Sequence, residues 1–165
     1  MKSILALTFF LFLFGSCKKK DVVCNYPDSN VIAPDTEIQQ IKDSLDTYNI
    51  TATQHPTGLF YAIKNGGSGQ GIANLCSMVE VTYKGKFFNG KVFDSTTANR
   101  TASFQLGEVI GGWQKGIPLI KEGGSIDLYI PPSLGYGSNP VPRTGPAIIP
   151  ANSYLVFNVT VIDIQ

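Results

Sequence analysis

Six residues of strict alternation followed by an Asn-Gly turn constrain this chain more than any other feature. Val79, Val81 and Tyr83 fall on one side and Glu80, Thr82 and Lys84 on the other, the pattern of a half-buried antiparallel strand. Asn89-Gly90 tolerates positive φ at both central positions of a tight turn, so the chain returns through Val92-Phe93 as a hairpin. Further strands are predicted at residues 58–63, 103–106, 126–130 and 155–161. The 17 Gly and 10 Pro supply the turns between them.

Helical spacing occurs twice. Ile38, Ile41, Leu45 and Tyr48 predict a short amphipathic helix over 36–48, capped by Asp35 or Thr36. Its apolar stripe reads as packing on the domain, with a partner-binding helix as the alternative. Val109 to Ile120 has the spacing of one short helix, weakened by Gly111, Gly112, Gly116 and Pro118. The fold class is therefore α+β, a five- to six-stranded twisted antiparallel sheet wrapped around one short helix and preceded by a short amphipathic helix.

The start of the chain reads as an address. Lys2, an apolar run from Ile4 to Phe14 and the small residues Gly15-Ser16 before Cys17 make a secretory signal over 1–16, too short for a comfortable span. Residues 13–17 resemble a bacterial lipobox, in which the Cys is diacylated and becomes the new N-terminus. Cys17 is thus the candidate lipidation site, and a lipid-anchored place in the cell envelope, on the outer membrane, is expected. Residues 17–34 read as a tether, 35–56 as an N-terminal helical extension and 57–165 as the main domain. Cys24 and Cys76 then lie in a compartment that permits disulfides. A bridge between them and a buried Cys76 with a free Cys24 both stay open.

Composition excludes several chemistries. His55 is the single histidine and the three Cys are far apart, so neither a zinc-finger spacing nor a His-dependent triad is available. Four of the thirteen Lys and Arg lie in the first twenty residues, leaving nine against twelve Asp and Glu beyond them, a poor footprint for nucleic acid. The Gly cluster at 66–71 precedes no helical pattern, so it reads as a turn rather than a phosphate cradle.

Six segments then occur in a telling order. Val81-Thr82-Tyr83-Lys84-Gly85, Gly90-Lys91-Val92-Phe93-Asp94-Ser95, Val109-Ile110-Gly111-Gly112-Trp113, Gly135-Tyr136-Gly137, Ile148-Ile149-Pro150 and Leu155-Val156-Phe157 together resemble FKBP-type peptidyl-prolyl isomerases, the macrolide-binding immunophilins. With the helix and lipobox, the chain is similar to lipoprotein members of that family in Gram-negative bacteria. The resemblance implies rotation about X-Pro bonds, whose barrier of about 18–20 kcal/mol comes from amide resonance, and implies no cofactor or metal. Trp113 would then floor a proline pocket walled by Tyr83, Phe93, Val109, Ile110, Ile149 and Phe157, with Ile148 beside them. Tyr136 and the Ile110 N–H would meet substrate carbonyls, and Asp94, oriented by Tyr83 and Arg100, would stabilise the twisted amide. Phe87, Phe88, Phe104 and Tyr129 are read as core. Implied partners are proline-containing unfolded or exported polypeptides and macrolide inhibitors. The family pattern often has an aromatic where Ala102 stands and a second Tyr where Leu134 stands. A catalytically weak chaperone or proline-segment binding module is the alternative function.

Overall fold

A computed structural model describes residues 24–142 and 149–165. The leader, Cys17 and Ile148 lie outside the described residues. In chain order the elements are α1 (Asp35–Thr47), β1 (Thr53–Gln54), β2 (Phe60–Asn65), β3 (Met78–Phe87), β4 (Val92–Ser95), β5 (Ala102–Gln105), α2 (Gly111–Gly116), β6 (Ser125–Ile130) and β7 (Leu155–Ile164). All seven strands join one antiparallel sheet ordered β1-β2-β6-β7-β3-β4, with β5 paired to the other end of β3. The strand not foreseen is β1, two exposed residues with no alternation to read.

The two-residue period of the strands divides the interior. Leu59, Leu128 and Phe157 face inward with Trp113 and Ile117, whereas their neighbours Phe60, Tyr129 and Val156 face outward and meet Ile41 and Leu45 of α1. The apolar stripe of α1 is therefore covered by the sheet. Burying two such aliphatic side chains stabilises the docking by about 1.5–3 kcal/mol each. Neither Asp35 nor Thr36 caps the helix as expected: the N-cap position falls on Pro34, whose side chain has no acceptor, and its carbonyl takes the Glu37 and Ile38 N–H groups. Glu37 instead accepts from the Ser133 N–H at 3.0 Å and its hydroxyl at 2.8 Å, fastening α1 to the loop after β6.

On the inner face α2 is shorter than the spacing of 109–120 suggests. Val109 and Ile110 are extended, and Pro118 turns the chain into a 3-10 turn at Ile117–Leu119. The glycines that weaken the helical pattern have a steric purpose. A Cβ on Gly112 would come within 2.7 Å of Ile130, and one on Gly116 within 2.4 Å of Leu128. Spaced one turn apart, they let the helix backbone lie directly on β6, which seats Trp113 between helix and sheet.

Composition reads residues 17–34 as a tether, and the described part of it, 24–34, forms a strap across the domain. Cys24 is disulfide-bonded to Cys76. Tyr26 lies on Gly107, where a Cβ would approach its ring to 2.2 Å. Asp28 pairs with Lys115 at 2.6 Å, and the buried Ala33 donates its N–H to the Thr57 carbonyl at 2.9 Å. These anchors differ in chemistry and share no period, so composition alone reads the segment as a linker.

Candidate active site

The cleft originates in how β3 and β4 pair. Asp94 lies opposite Gly85 and Val92 opposite Lys86, so Phe93 is an extra residue that bulges the strand. The bulge turns Phe93 inward while Asp94 keeps its carboxylate toward Tyr83. Gly85 leaves room for this, since a Cβ there would lie 2.5 Å from the Phe93 ring and 2.8 Å from that of Phe157. The Tyr83 hydroxyl donates to Asp94 Oδ2 at 2.5 Å, a charge-assisted bond that fixes both groups.

Trp113 forms the floor, 4% exposed. Three rings stand perpendicular to it with centroids at 5.3 Å (Phe157), 5.4 Å (Tyr83) and 5.6 Å (Phe104). Edge-to-face rings at these separations favour a rigid box over a deformable one. Its buried Nε1–H has no hydrogen-bond partner among the described residues. Val109, Ile110, Tyr136 and Glu108 complete the described lining of a cleft of about 260 Å³ that also takes in Asp94.

Side chains behind the cleft position its rim. The Gln114 amide donates to the carbonyls of Gly107 at 3.2 Å and Val109 at 2.9 Å, pinning the segment that carries Glu108 and Val109. The Ile110 carbonyl accepts from the Trp113 and Gln114 N–H groups, starting α2, while the Ile110 N–H finds no acceptor among the described residues. Tyr136, 36% exposed, sits on a turn closed by Gly135 and Gly137 N–H bonds to Pro132.

Most of the expected site residues come together here, three lie outside the cleft lining, and one residue expected in the core joins it. Phe93 lies one ring behind the wall, edge-on to Phe157 at 5.5 Å and packed on Phe87 at 5.1 Å, because the bulge aims it into the core. Ile149 is likewise core, buried and paired through its backbone with Val141. Arg100 is exposed in the turn after β4, where its N–H donates to the Thr97 carbonyl, outside the cleft lining. Phe104, read as core, lines the cleft. It shares the inward face of β5 with Ala102 two residues earlier, so its ring covers the side where Ala102 offers little. Glu108 and Gln114 were not singled out by the sequence; the first lies in the turn before Val109, and the second acts only through backbone carbonyls.

With this geometry established, residues 70–162 match the family model for FKBP-type peptidyl-prolyl cis-trans isomerases. The chain belongs to that family. FkpA of Escherichia coli K12 is 43% identical over 110 residues, covering 66% of this chain and 38% of the relative. FkpA of Buchnera aphidicola from Schizaphis graminum is also 43% identical over 110 residues, covering 66% and 42%. The chain thus spans about two fifths of the length of these FKBP-type relatives. The crystal structure of E. coli FkpA aligns with a TM-score of 0.66 at 36% identity, covering 79% of this chain and 60% of that one. That of AtFKBP13 aligns at 0.61 and 34% identity, covering 70% and 99%. The FKBP-type fold accounts for the arrangement seen, an antiparallel sheet closed over one short helix that carries Trp113.

Proposed function

We propose that the chain is a peptidyl-prolyl cis-trans isomerase that acts on proline-containing segments of unfolded polypeptides. The observation that carries this reading is the ring-walled cleft floored by Trp113, with the Tyr83–Asp94 pair in its lining. A proline ring stacked on the indole leaves water, and the X-Pro amide then sits in a medium of low polarity. The planar amide carries the charge separation of resonance and the twisted one has lost it, so such a medium favours the twisted state relative to the planar one. The Ile110 N–H and Tyr136 hydroxyl are the groups to hold the flanking carbonyls while the bond turns. No proton moves in this reaction, which suits a chain whose single histidine, His55, lies with Asp28 and Lys115 in a separate cavity.

A protease-coupled assay with a proline tetrapeptide, run beside the Trp113 fluorescence of the same samples, tests this. Catalysis that a macrolide of the FKBP-binding class abolishes, with a saturable change in indole emission at the same concentrations, is expected. Full activity with a silent indole would remove Trp113 from the site, and binding without turnover would make the chain a proline-segment binder.

The cellular setting belongs to the same reading. Cys17 is the proposed site of diacylation, placing the domain at the outer membrane among exported polypeptides, where slow X-Pro isomerisation limits folding. The acyl chains, not a protein helix, would supply the membrane affinity. Cys17→Ser should leave the folded protein in the soluble fraction. Recovery of that variant in membranes after a high-salt wash would refute the anchor.

A further inference from the structure

The strap and the cleft meet at one carboxylate. Glu108 ends the 3-10 turn Leu106–Glu108 and lies in the cleft lining with its side chain exposed. Its Oε1 accepts from the Tyr26 hydroxyl at 2.7 Å, and that hydroxyl is also 3.1 Å from Gln105 Oε1. Tyr26 is itself held, with its ring on Gly107 and the Cys24–Cys76 bond two residues before it. The hydrogen bond to Glu108, then desolvation and the Glu108 charge, raises the Tyr26 phenol above its ordinary value, and a phenol is a donor at neutral pH in any case.

Two ion pairs form among the described residues. Lys115, the cation of α2, is taken by Asp28 at 2.6 Å, and the other ion pair among the described residues, Lys64 with Asp127, lies on the sheet. The described cleft lining contains Asp94 and Glu108 and no Lys or Arg. Glu108 therefore brings a carboxylate to the cleft lining with one of its oxygens held by Tyr26. Holding a carboxylate in place removes part of the side-chain entropy that makes exposed ion pairs weak.

We propose that Glu108 is a specificity determinant that selects proline segments carrying Lys or Arg beside the proline, and that Tyr26 is the positioning residue that sets its carboxylate at the cleft. The inference rests on the cleft being the proline-binding site and concerns which segments it prefers.

The test uses peptide pairs that differ at one flank of the proline, lysine against norleucine, which keeps the aliphatic stem without the charge. Both flanks are tried. kcat/KM is measured by isomerisation and Kd by Trp113 fluorescence, so a chain that binds without turning over is still tested. The lysine peptide is expected to be preferred about two- to fivefold at one flank, through KM and Kd rather than kcat, with the preference shrinking as salt screens the pair. In Glu108→Gln the lysine-to-norleucine ratio should fall to about one, and Tyr26→Phe, which keeps the ring on Gly107, should lower it in the same direction. A strap with a purely structural role would weaken both peptides alike and leave the ratio unmoved. A ratio of one at both flanks in the unaltered chain, or a preference that survives Glu108→Gln, overturns the proposal whether or not the chain is an isomerase. Loss of turnover with the Kd ratio intact would overturn the isomerase reading alone.

Discussion

The double variant Cys24→Ser, Cys76→Ser is expected to lose about 2–4 kcal/mol of stability. The bridge spans 52 residues of chain, a loop whose closure entropy in the unfolded state is worth about 4 kcal/mol in the chain-entropy model. The lower part of the range allows for residual structure in the unfolded chain, and in the folded chain the strap keeps its other anchors at Tyr26, Asp28 and Ala33. Urea melts of the oxidised chain, the reduced chain and the double variant should show the midpoint falling and the slope rising modestly when the bridge is absent, because an unfolded chain without the crosslink is less compact and exposes more surface. Amide exchange should accelerate first at the Ala33 N–H, which bonds to Thr57 across the strap, and last on β3 and β7 at the centre of the sheet. Superimposable melts with and without reductant would show that the strap docks without help from the bridge.

That strap marks where the sequence stops being legible. The strands carry their burial in a period of two, so β3, β4, β6 and β7 can be read directly, as can α1 to within a residue at each end, whereas the chain reverses at Asn89-Gly90 with positive φ at Gly90 alone and with the Gly90 N–H bonded back to the Phe87 carbonyl, not through the two central residues expected. α2 is harder, because Gly112 and Gly116 act by contact with Ile130 and Leu128 on a strand that follows later in the chain. Local propensity counts those glycines against a helix whose tertiary contacts require them. The site divides in the same way. Tyr83, Asp94, Val109, Ile110, Trp113, Tyr136 and Phe157 are marked by motif order, and they do converge. Phe93 and Phe104 exchange their expected places, since a one-residue bulge aims the first behind the cleft while the pairing of β5 on β3 brings the second to it. No window of sequence displays that register. Glu108 gains its surroundings from Tyr26, 82 residues away, a separation beyond any local pattern.

Replacement of Asp94 is expected to have the largest effect on activity. Its carboxylate is part of the cleft lining, and the bulge at Phe93 together with the Tyr83 hydroxyl at 2.5 Å gives it a fixed orientation before substrate arrives. A fixed charge in a cleft walled by aromatic rings acts on the amide with little reorganisation, and single preorganised groups of this kind carry factors of about 100 in favourable cases. Partial exposure of Asp94 lowers that figure, so Asp94→Leu should reduce kcat/KM by about 10- to 100-fold, or roughly 1.4–2.7 kcal/mol of transition-state stabilisation. Asp94→Asn should fall nearly as far, since it keeps the shape and a hydrogen bond to Tyr83 but removes the charge. Tyr83→Phe keeps the ring against Trp113 and loses only the donor, so its loss should be smaller. Phe93→Ala is a poorer probe, because emptying the ring's place beside Phe157 and Phe87 would cost about 3–5 kcal/mol of stability. The Asp94 variants should melt within a few degrees of the unaltered chain. Their activity should also show no dependence on His55. Burial, then the charge of Lys115, holds that imidazole below its ordinary value, and its Nδ1 accepts from the Thr57 N–H at 3.2 Å in a cavity separate from the cleft. Accordingly His55→Gln should leave kcat/KM and its pH profile unchanged. An Asp94→Asn variant with full activity, or a bell-shaped profile that vanishes with His55, would replace electrostatic stabilisation of the twisted amide by a different mechanism.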